Sequence, residues 1–461
     1  MLLTMEEFRA FQPEKPTYAL FGWPLGHTMS PELHAQLFAA SGQDADYIGV
    51  AVPPEALEEA FHLAKAKLRG INCTIPHKKA VIPLLDAVDT AARDLHSVNT
   101  VAFRDGRAIG YNTDILGFAA SLTRDGVTLR GKKVLLLGYG GAAAVMAYHC
   151  VTQGAYLTIT GRNMEKAAAL QKQLCAAVPG AHVSVFSRRH IPRDIQIVLN
   201  STPVGMFPKE HAAPLHFLPH KTEYVFDAIY NPPVTATMKL ANPQKTKTRD
   251  GLFMLVMQAA HAQTIWSGVQ FAPQACETIL RRTYGKMAVK RLHEKHGKRN
   301  IVLCGFMGSG KTTIGRKLAR LTGLDFVDAD QYLEAKEGKK ISDIFADEGE
   351  PYFRDRETAY IRELAQREGI VLSLGGGAVL RPENVKAVKE TGLLIHLDTP
   401  YYRILKNLSY SNTRPLLDRP DKQAETRRLY NARKAIYRRA ADVSVRSPRI
   451  SEVLEKLVKS I

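Results

Sequence analysis

Ile301-Val302-Leu303-Cys304-Gly305-Phe306-Met307-Gly308-Ser309-Gly310-Lys311-Thr312-Thr313 reads as a short apolar strand, a glycine-spaced loop and the opening of a helix continued by Ile314, Leu318 and Leu321. Residues 305–312 meet the pattern GxxxxGK[ST] in full. The spacing has a physical reason. Loop N–H groups must converge on phosphate oxygens, and glycine takes the required dihedrals without a side chain in the way. Lys311 would reach the β- and γ-phosphates, and Thr312 would set its hydroxyl on Mg²⁺. The helix N-terminus adds positive potential. Gly308, Gly310, Thr312 and Thr313 are the candidate nucleotide-binding positions, a nucleoside triphosphate the expected ligand, and a parallel α/β sheet the expected setting.

At 461 residues the chain is too long for one core. No apolar run approaches the roughly 18 residues of a membrane span. The first ten residues carry Glu6 and Glu7 and do not read as a secretory signal. Five scattered cysteines show no metal spacing and fit a reducing cytoplasm. The net charge of +18 raises the question of nucleic acid. No nucleic-acid motif accompanies it, so the excess is assigned to solvated basic faces around small anionic ligands. Neither a nucleic-acid nor a membrane partner is expected.

The first half alternates strand and helix patterns. Residues 18–21, 47–52 and 70–75 read as strands, and 31–40 and 54–67 as helices, the first of them capped by Ser30. Residues 132–137 read as a strand whose run 134–137 is fully apolar and suited to a buried parallel sheet. Gly138-Tyr139-Gly140-Gly141-Ala142-Ala143 follows, a GxGxxA turn leading into an Ala-rich helix. Gly138 makes the turn, Gly140 lets backbone approach a pyrophosphate, and Ala143 permits close helix–strand packing. Gly141 and Ala142 complete the candidate dinucleotide cradle. The next strand, 156–160, ends in Gly161-Arg162-Asn163 with Lys166 nearby, not in an acid. Basic groups there suit a 2′-phosphate, so NADP is expected over NAD. Residues 250–287 read as helical, and the basic stretch 290–299 as a tether.

Roughly the first 288 residues resemble shikimate dehydrogenase. The resemblance rests on Phe21-Gly22-Trp23-Pro24-Leu25-Gly26-His27-Thr28-Met29-Ser30-Pro31, in which Thr28 replaces a usual Ser, and on Gly70-Ile71-Asn72-Cys73-Thr74-Ile75-Pro76-His77-Lys78-Lys79. It continues through Ser97-Val98-Asn99-Thr100, Asn112-Thr113-Asp114, Tyr230 and the run from Asp250-Gly251-Leu252 to Gln258-Ala259-Ala260-His261. It implies Lys78 as the proton-transfer residue with Asp114 as its partner. Thr28, Ser30, Asn72, Thr74, Asn99, Tyr230 and Gln258 would bind a polyhydroxylated acid, and Gly251 would lie at the cofactor. The chemistry agrees: a lysine held by a carboxylate can move the proton at the oxygen whose carbon takes the hydride.

The last 160 or so residues resemble shikimate kinase. The carriers are Phe326-Val327-Asp328-Ala329-Asp330, Gly349-Glu350-Pro351-Tyr352-Phe353-Arg354, Leu374-Gly375-Gly376-Gly377, Arg414-Pro415-Leu416-Leu417 and Asn431-Ala432-Arg433. The resemblance implies Asp328 near Mg²⁺, Asp330 on the attacking hydroxyl and Gly376 at the ring. Arg354 and Arg433 would hold a carboxylate, and Arg414 would reach phosphate from a lid. Two arginines suit one carboxylate, because the guanidinium fork binds it bidentately. Asn407 stands where the lid's upstream arm often has Arg.

Together the two resemblances imply an α/β protein in three parts. Residues 1–114 and 250–288 would form an α/β substrate domain, and 115–249 an NADP-binding Rossmann domain. Residues 289–299 would be a basic linker, and 300–461 a P-loop kinase domain. The implied reactions are NADPH reduction of 3-dehydroshikimate to shikimate, then ATP-dependent phosphorylation to shikimate 3-phosphate, toward chorismate. An NAD-linked quinate/shikimate dehydrogenase, a kinase for another polyol such as gluconate, and a non-enzymatic binding protein remain alternatives.

Overall fold

A computed structural model describes residues 1–25, 28–409, 422–446 and 448–460. The chain divides into two compact units, Met1–Leu280 and Arg281–Ile461.

The first unit holds two sheets. One is a seven-stranded mixed sheet in the spatial order Leu2–Leu3, Asp46–Ala51, Thr17–Gly22, Gly70–Cys73, Thr100–Arg104, Arg107–Tyr111 and Ala87–Val88. Only Thr100–Arg104 runs antiparallel to its neighbours among these strands. Its centre is apolar on both faces, with Ala19, Phe21, Val50 and Ile71 buried on one and Tyr18 and Leu20 on the other, so both faces must be covered. The other sheet is entirely parallel, in the order Val183–Val185, Tyr156–Thr160, Lys133–Leu137, Ile197–Asn200, Tyr224–Asp227 and Lys247–Arg249. Numbered along the chain from Lys133–Leu137, that is 3-2-1-4-5-6, the doubly wound order whose ligand crevice lies beyond the carboxyl ends of the first and fourth strands.

The second unit is built on a five-stranded parallel sheet, Asp325–Asp328, Ile370–Ser373, Asn300–Cys304, Gly392–Asp398 and Val443–Arg446. The glycine-spaced loop leaves its central strand.

Three sequence expectations shift. The helical region at 250–287 is two helices, Leu252–Ser267 and Pro273–His296, broken by Gly268 in the left-handed region. Ser30 does not cap its helix; Met29 occupies that position, and Ser30 is the first helical residue. The stretch 289–299 is not a linker. Pro273–His296 runs unbroken across the division, and Ala288 and Leu292 are buried with Ile301, Leu303 and Leu318 in the second unit's core. Tyr284, Ala288 and Leu292 recur every four residues, an apolar stripe that the surrounding lysines and arginines hide from a reading by composition.

Candidate active sites

In the first unit the strand Gly70–Cys73 and the helix Thr113–Asp125 converge. Lys78 Nζ donates to Asp114 Oδ2 at 2.5 Å, and both side chains keep partial exposure. Asp114 lies in the first turn of its helix, where the macrodipole favours a negative charge. Gly117, one turn on, sets how close the helix Leu252–Ser267 can come: a Cβ there would stand 2.4 Å from Met254 O and 3.2 Å from Gln258 Cβ. Gln258 is thereby seated beside the helix that carries Asp114.

Asn72 and Asn99 form a buried network beneath the pair. Asn72 Nδ2 donates to Asn99 O at 3.0 Å and to Thr100 Oγ1 at 2.9 Å. Asn72 Oδ1 accepts from Tyr47 Oη at 2.7 Å. Asn99 Nδ2 donates to Thr113 Oγ1 at 3.1 Å, and Asn99 Oδ1 accepts from Thr113 N at 2.7 Å. Both amide hydrogens of Asn72 are therefore engaged within the protein. Thr28 Oγ1 donates to Ser30 Oγ at 3.3 Å, so the two hydroxyls face each other across one turn. Thr74 and Tyr230 are half-buried. Burial pushes the Tyr230 hydroxyl above its ordinary value, keeping it a neutral donor.

The cofactor crevice has the fit a dinucleotide needs. Gly140 caps the helix Gly141–Thr152, and a Cβ on Gly140 or Gly141 would meet nothing within 4 Å. That leaves the helix N-terminus open to a pyrophosphate. Gly138 has φ +114°, and its Cβ would stand 2.5 Å from Ser201 Oγ. Ala142 follows in the helix's first turn. Arg162 and Lys166 are exposed after the second strand, and Asn163 caps the next helix by accepting from Lys166 N at 2.9 Å. Gly251 packs so tightly that a Cβ would stand 2.1 Å from Ala228 O.

In the second unit, Gly308 and Gly310 take φ +74° and +92°. Lys311 Nζ donates to Gly305 O at 2.9 Å and Phe306 O at 3.2 Å, within the loop it would leave for a phosphate. Thr312 Oγ1 donates to Asp328 Oδ2 at 2.8 Å, and Thr313 follows in the same first turn. Ser309 Oγ is buried without a hydrogen-bond partner, an orphan that a bound phosphate would satisfy. Among the described residues no cluster of three His, Cys, Asp or Glu side chains could hold a metal alone. An Mg²⁺ ion at Thr312 and Asp328 would therefore need ligands from phosphates and water.

The glycine run explains itself through its neighbours. A Cβ on Gly375 would stand 2.6 Å from Asp330 Oδ1 and 2.8 Å from Glu357 Oε1. One on Gly377 would stand 2.5 Å from Arg354 Nη1. Gly376 O accepts from Tyr437 Oη. Arg354 Nη1 donates to buried Glu357 at 2.7 Å. Burial pushes the Glu357 carboxyl up, Arg354 opposes this, and Asp330 adds to it. Burial likewise pushes the Tyr437 hydroxyl up to about 12, while Arg433 and Arg354 pull it down. Both arginines thus act on one tyrosine. Asp330 does not cap its helix; Asp328 does, accepting from Asp330 N at 3.2 Å. Arg414, Gly26 and His27 lie outside the described residues.

Sequence reasoning missed Glu357, Tyr437, Tyr47 and a second buried network. Asp227 Oδ1 accepts from Asn200 Nδ2 at 3.0 Å and Ile229 N at 3.1 Å, and Oδ2 accepts from Thr235 Oγ1 at 2.7 Å. It ties the ends of two cofactor-sheet strands together. A signal existed in Asn200-Ser201-Thr202-Pro203, a polar turn at the carboxyl end of an apolar strand.

The shikimate kinase family model matches residues 307–461, and that of the shikimate dehydrogenase substrate binding domain matches residues 20–101. The shikimate dehydrogenase (NADP(+)) of Carboxydothermus hydrogenoformans is 39% identical over 254 residues, 54% of this chain and 91% of that protein. The solved shikimate 5-dehydrogenase of Thermus thermophilus, in complex with NADP(H) and shikimate, superposes with a TM-score of 0.53 at 30% identity, covering 58% of this chain and 99% of that one. The ligand-free 5-ketofructose reductase of a Gluconobacter strain gives a TM-score of 0.53 at 32% identity, over 59% and 99%. A mixed sheet carrying a Lys–Asp pair beside a doubly wound sheet, followed by a P-loop unit, defines a two-part α/β enzyme. The chain belongs to the shikimate dehydrogenase family, with a shikimate kinase domain behind it.

Proposed function

We propose that this chain carries out two consecutive reactions: NADPH-dependent reduction of 3-dehydroshikimate to shikimate, then ATP-dependent phosphorylation of shikimate at its 3-hydroxyl. The Lys78–Asp114 pair at 2.5 Å carries the first assignment. Bound NADPH supplies the hydride. Lys78 gives the proton to the oxygen that becomes the alcohol, and Asp114 holds the ammonium and that oxygen in line. Asn72, through its network, keeps Asn99 oriented. Thr28, Ser30, Thr74, Tyr230 and Gln258 provide neutral hydrogen bonds to hydroxyls and carboxylate. Arg162 and Lys166 favour a 2′-phosphate.

Bound ATP supplies the phosphoryl group for the second reaction. Lys311 neutralises the transferring charge, joined by Arg414 from outside the described residues. Asp330 orients the attacking hydroxyl, and Thr312 with Asp328 holds Mg²⁺. Arg354 and Arg433 take the carboxylate that the first reaction leaves unchanged. Glu357 keeps the Arg354 fork from turning away. The partners are small molecules. No described helix is long and apolar enough to cross a membrane. The described cysteines, all free, support a cytoplasmic setting.

The test is one incubation with 3-dehydroshikimate, NADPH, ATP and Mg²⁺, following NADPH loss and ADP release together. Wild type gives both signals, Lys78→Ala neither, and Lys311→Ala NADPH loss alone. Turnover of 5-ketofructose in place of 3-dehydroshikimate would overturn the substrate assignment.

A further inference from the structure

The phosphate-binding loop is held from outside itself. An N–H nest binds an anion only if its carbonyls are turned away, because a carbonyl facing phosphate repels it. Five carbonyls of the loop have a donor. Lys311 takes Gly305 O and Phe306 O, and Ile314 N takes Gly310 O at 2.9 Å. The other two are taken by side chains from one distant segment. Thr399 Oγ1 donates to Ser309 O at 2.9 Å, and Asn407 Nδ2 donates to Gly308 O at 2.7 Å.

That segment is anchored. Thr399 is buried and follows the strand Gly392–Asp398. Asn407 sits on the helix Tyr401–Ser409, whose Ile404 and Leu408 are buried with Phe306 and Met307. The helix presses on the loop at Gly308, where a Cβ would stand 3.1 Å from Leu408 Cγ and 3.3 Å from Ile404 O. A glycine at φ +74° has a readily turned peptide unit, and without an outside donor its carbonyl would be free to rotate inward.

We propose that Thr399 and Asn407 are positioning residues of the nucleotide site, clamping the Ser309 and Gly308 carbonyls so that the loop's N–H groups stay turned toward the phosphates. This rests on the kinase reading only for the acceptor, since the clamp acts on nucleotide alone.

The experiment uses the full chain and the near-isosteric variants Asn407→Leu and Thr399→Val, which keep shape and remove the donor without adding charge, with Thr399→Ser as the conservative control. The KM for Mg·ATP is expected to rise about fivefold in each of the first two, the size of one hydrogen bond of ordinary strength. The KM for shikimate and the NADPH-linked rate should stay within about twofold, and Thr399→Ser should behave as wild type. Titration with Mg·ADP by calorimetry reads the same loss without any acceptor. A chain that binds Mg·ADP but does not phosphorylate shikimate would overturn the kinase reading and leave the clamp to be judged by that titration. Unchanged nucleotide affinity in both variants overturns the clamp. So does an equal rise in both substrates' KM, since that would indicate general loosening of the unit.

Discussion

Tyr47 Oη donates to Asn72 Oδ1 at 2.7 Å from a buried position. The bond fixes which end of the Asn72 amide points inward, and so aims both amide hydrogens at Asn99 O and Thr100 Oγ1. Tyr47→Phe leaves a buried acceptor unmatched, which costs about 1–3 kcal/mol. Urea unfolding followed by tryptophan fluorescence checks it, because both tryptophans, Trp23 and Trp266, lie in the first unit. An unchanged midpoint would show that the Asn72 amide is set by something else.

Lys78→Met and Asp114→Asn should each lower the dehydrogenase kcat by roughly 10²–10⁴, the usual worth of a positioned acid–base group. ADP release from added shikimate should be untouched. Loss of both activities in either variant would count against two independent sites.

Gly377→Ala places a methyl 2.5 Å from the Arg354 guanidinium, and Gly375→Ala places one between Asp330 and Glu357. Arg354 and Glu357 cannot yield without loosening their bond to each other. Overpacking of this kind costs typically about 1–3 kcal/mol. We expect the shikimate KM of the kinase to rise at least tenfold in each, with NADPH oxidation normal. A normal KM would mean that Arg354 is free to move.

Arg162→Ala should weaken NADPH by about 10- to 100-fold, the scale of a charge-assisted hydrogen bond to phosphate, and leave NADH nearly unaffected. The ratio of kcat/KM for the two cofactors is the measurement. An unchanged ratio would move the specificity elsewhere, with Lys166 next in line.

Asp227 gives a pH signature. Burial pushes its carboxyl from 3.8 up to about 6. A raised carboxyl holds its proton more tightly folded than unfolded, so it costs nothing while both states are protonated. The cost grows as pH rises from about 4 to about 6 and is complete above that, roughly 3 kcal/mol. Asp227→Asn should remove this decline. The check is the urea midpoint by tryptophan fluorescence from pH 4 to 7; parallel curves for wild type and variant would sink the idea.

Much of this was legible in the sequence because local chemistry and global placement agree. The P-loop spacing needs a strand before it and a helix after it, and Asn300–Cys304 and Lys311–Thr322 are there. The strand Tyr156–Thr160 falls where its β-branched pattern put it. What was not legible depends on long-range packing. Glu357 was one more acid on a helix until Gly375 brought it against Asp330. Tyr437 carries no signal of its own in the sequence, and only the fold brings it under the influence of Arg354 and Arg433 together. The polar turn Asn200-Ser201-Thr202-Pro203 marked the place, but only the fold shows that Asn200 and Thr235 supply the hydrogen bonds of Asp227.

The unbroken helix Pro273–His296 bears on how the two activities are supplied. Proteases favour exposed loops, and a hydrogen-bonded helix with Ala288 and Leu292 in a core is not one, which leaves the non-helical residues 268–272 and 297–299 on either side of it as the nearest such stretches. The two sites are made on one chain and are therefore delivered in a one-to-one ratio. Synthesis of the chain raises or lowers both together.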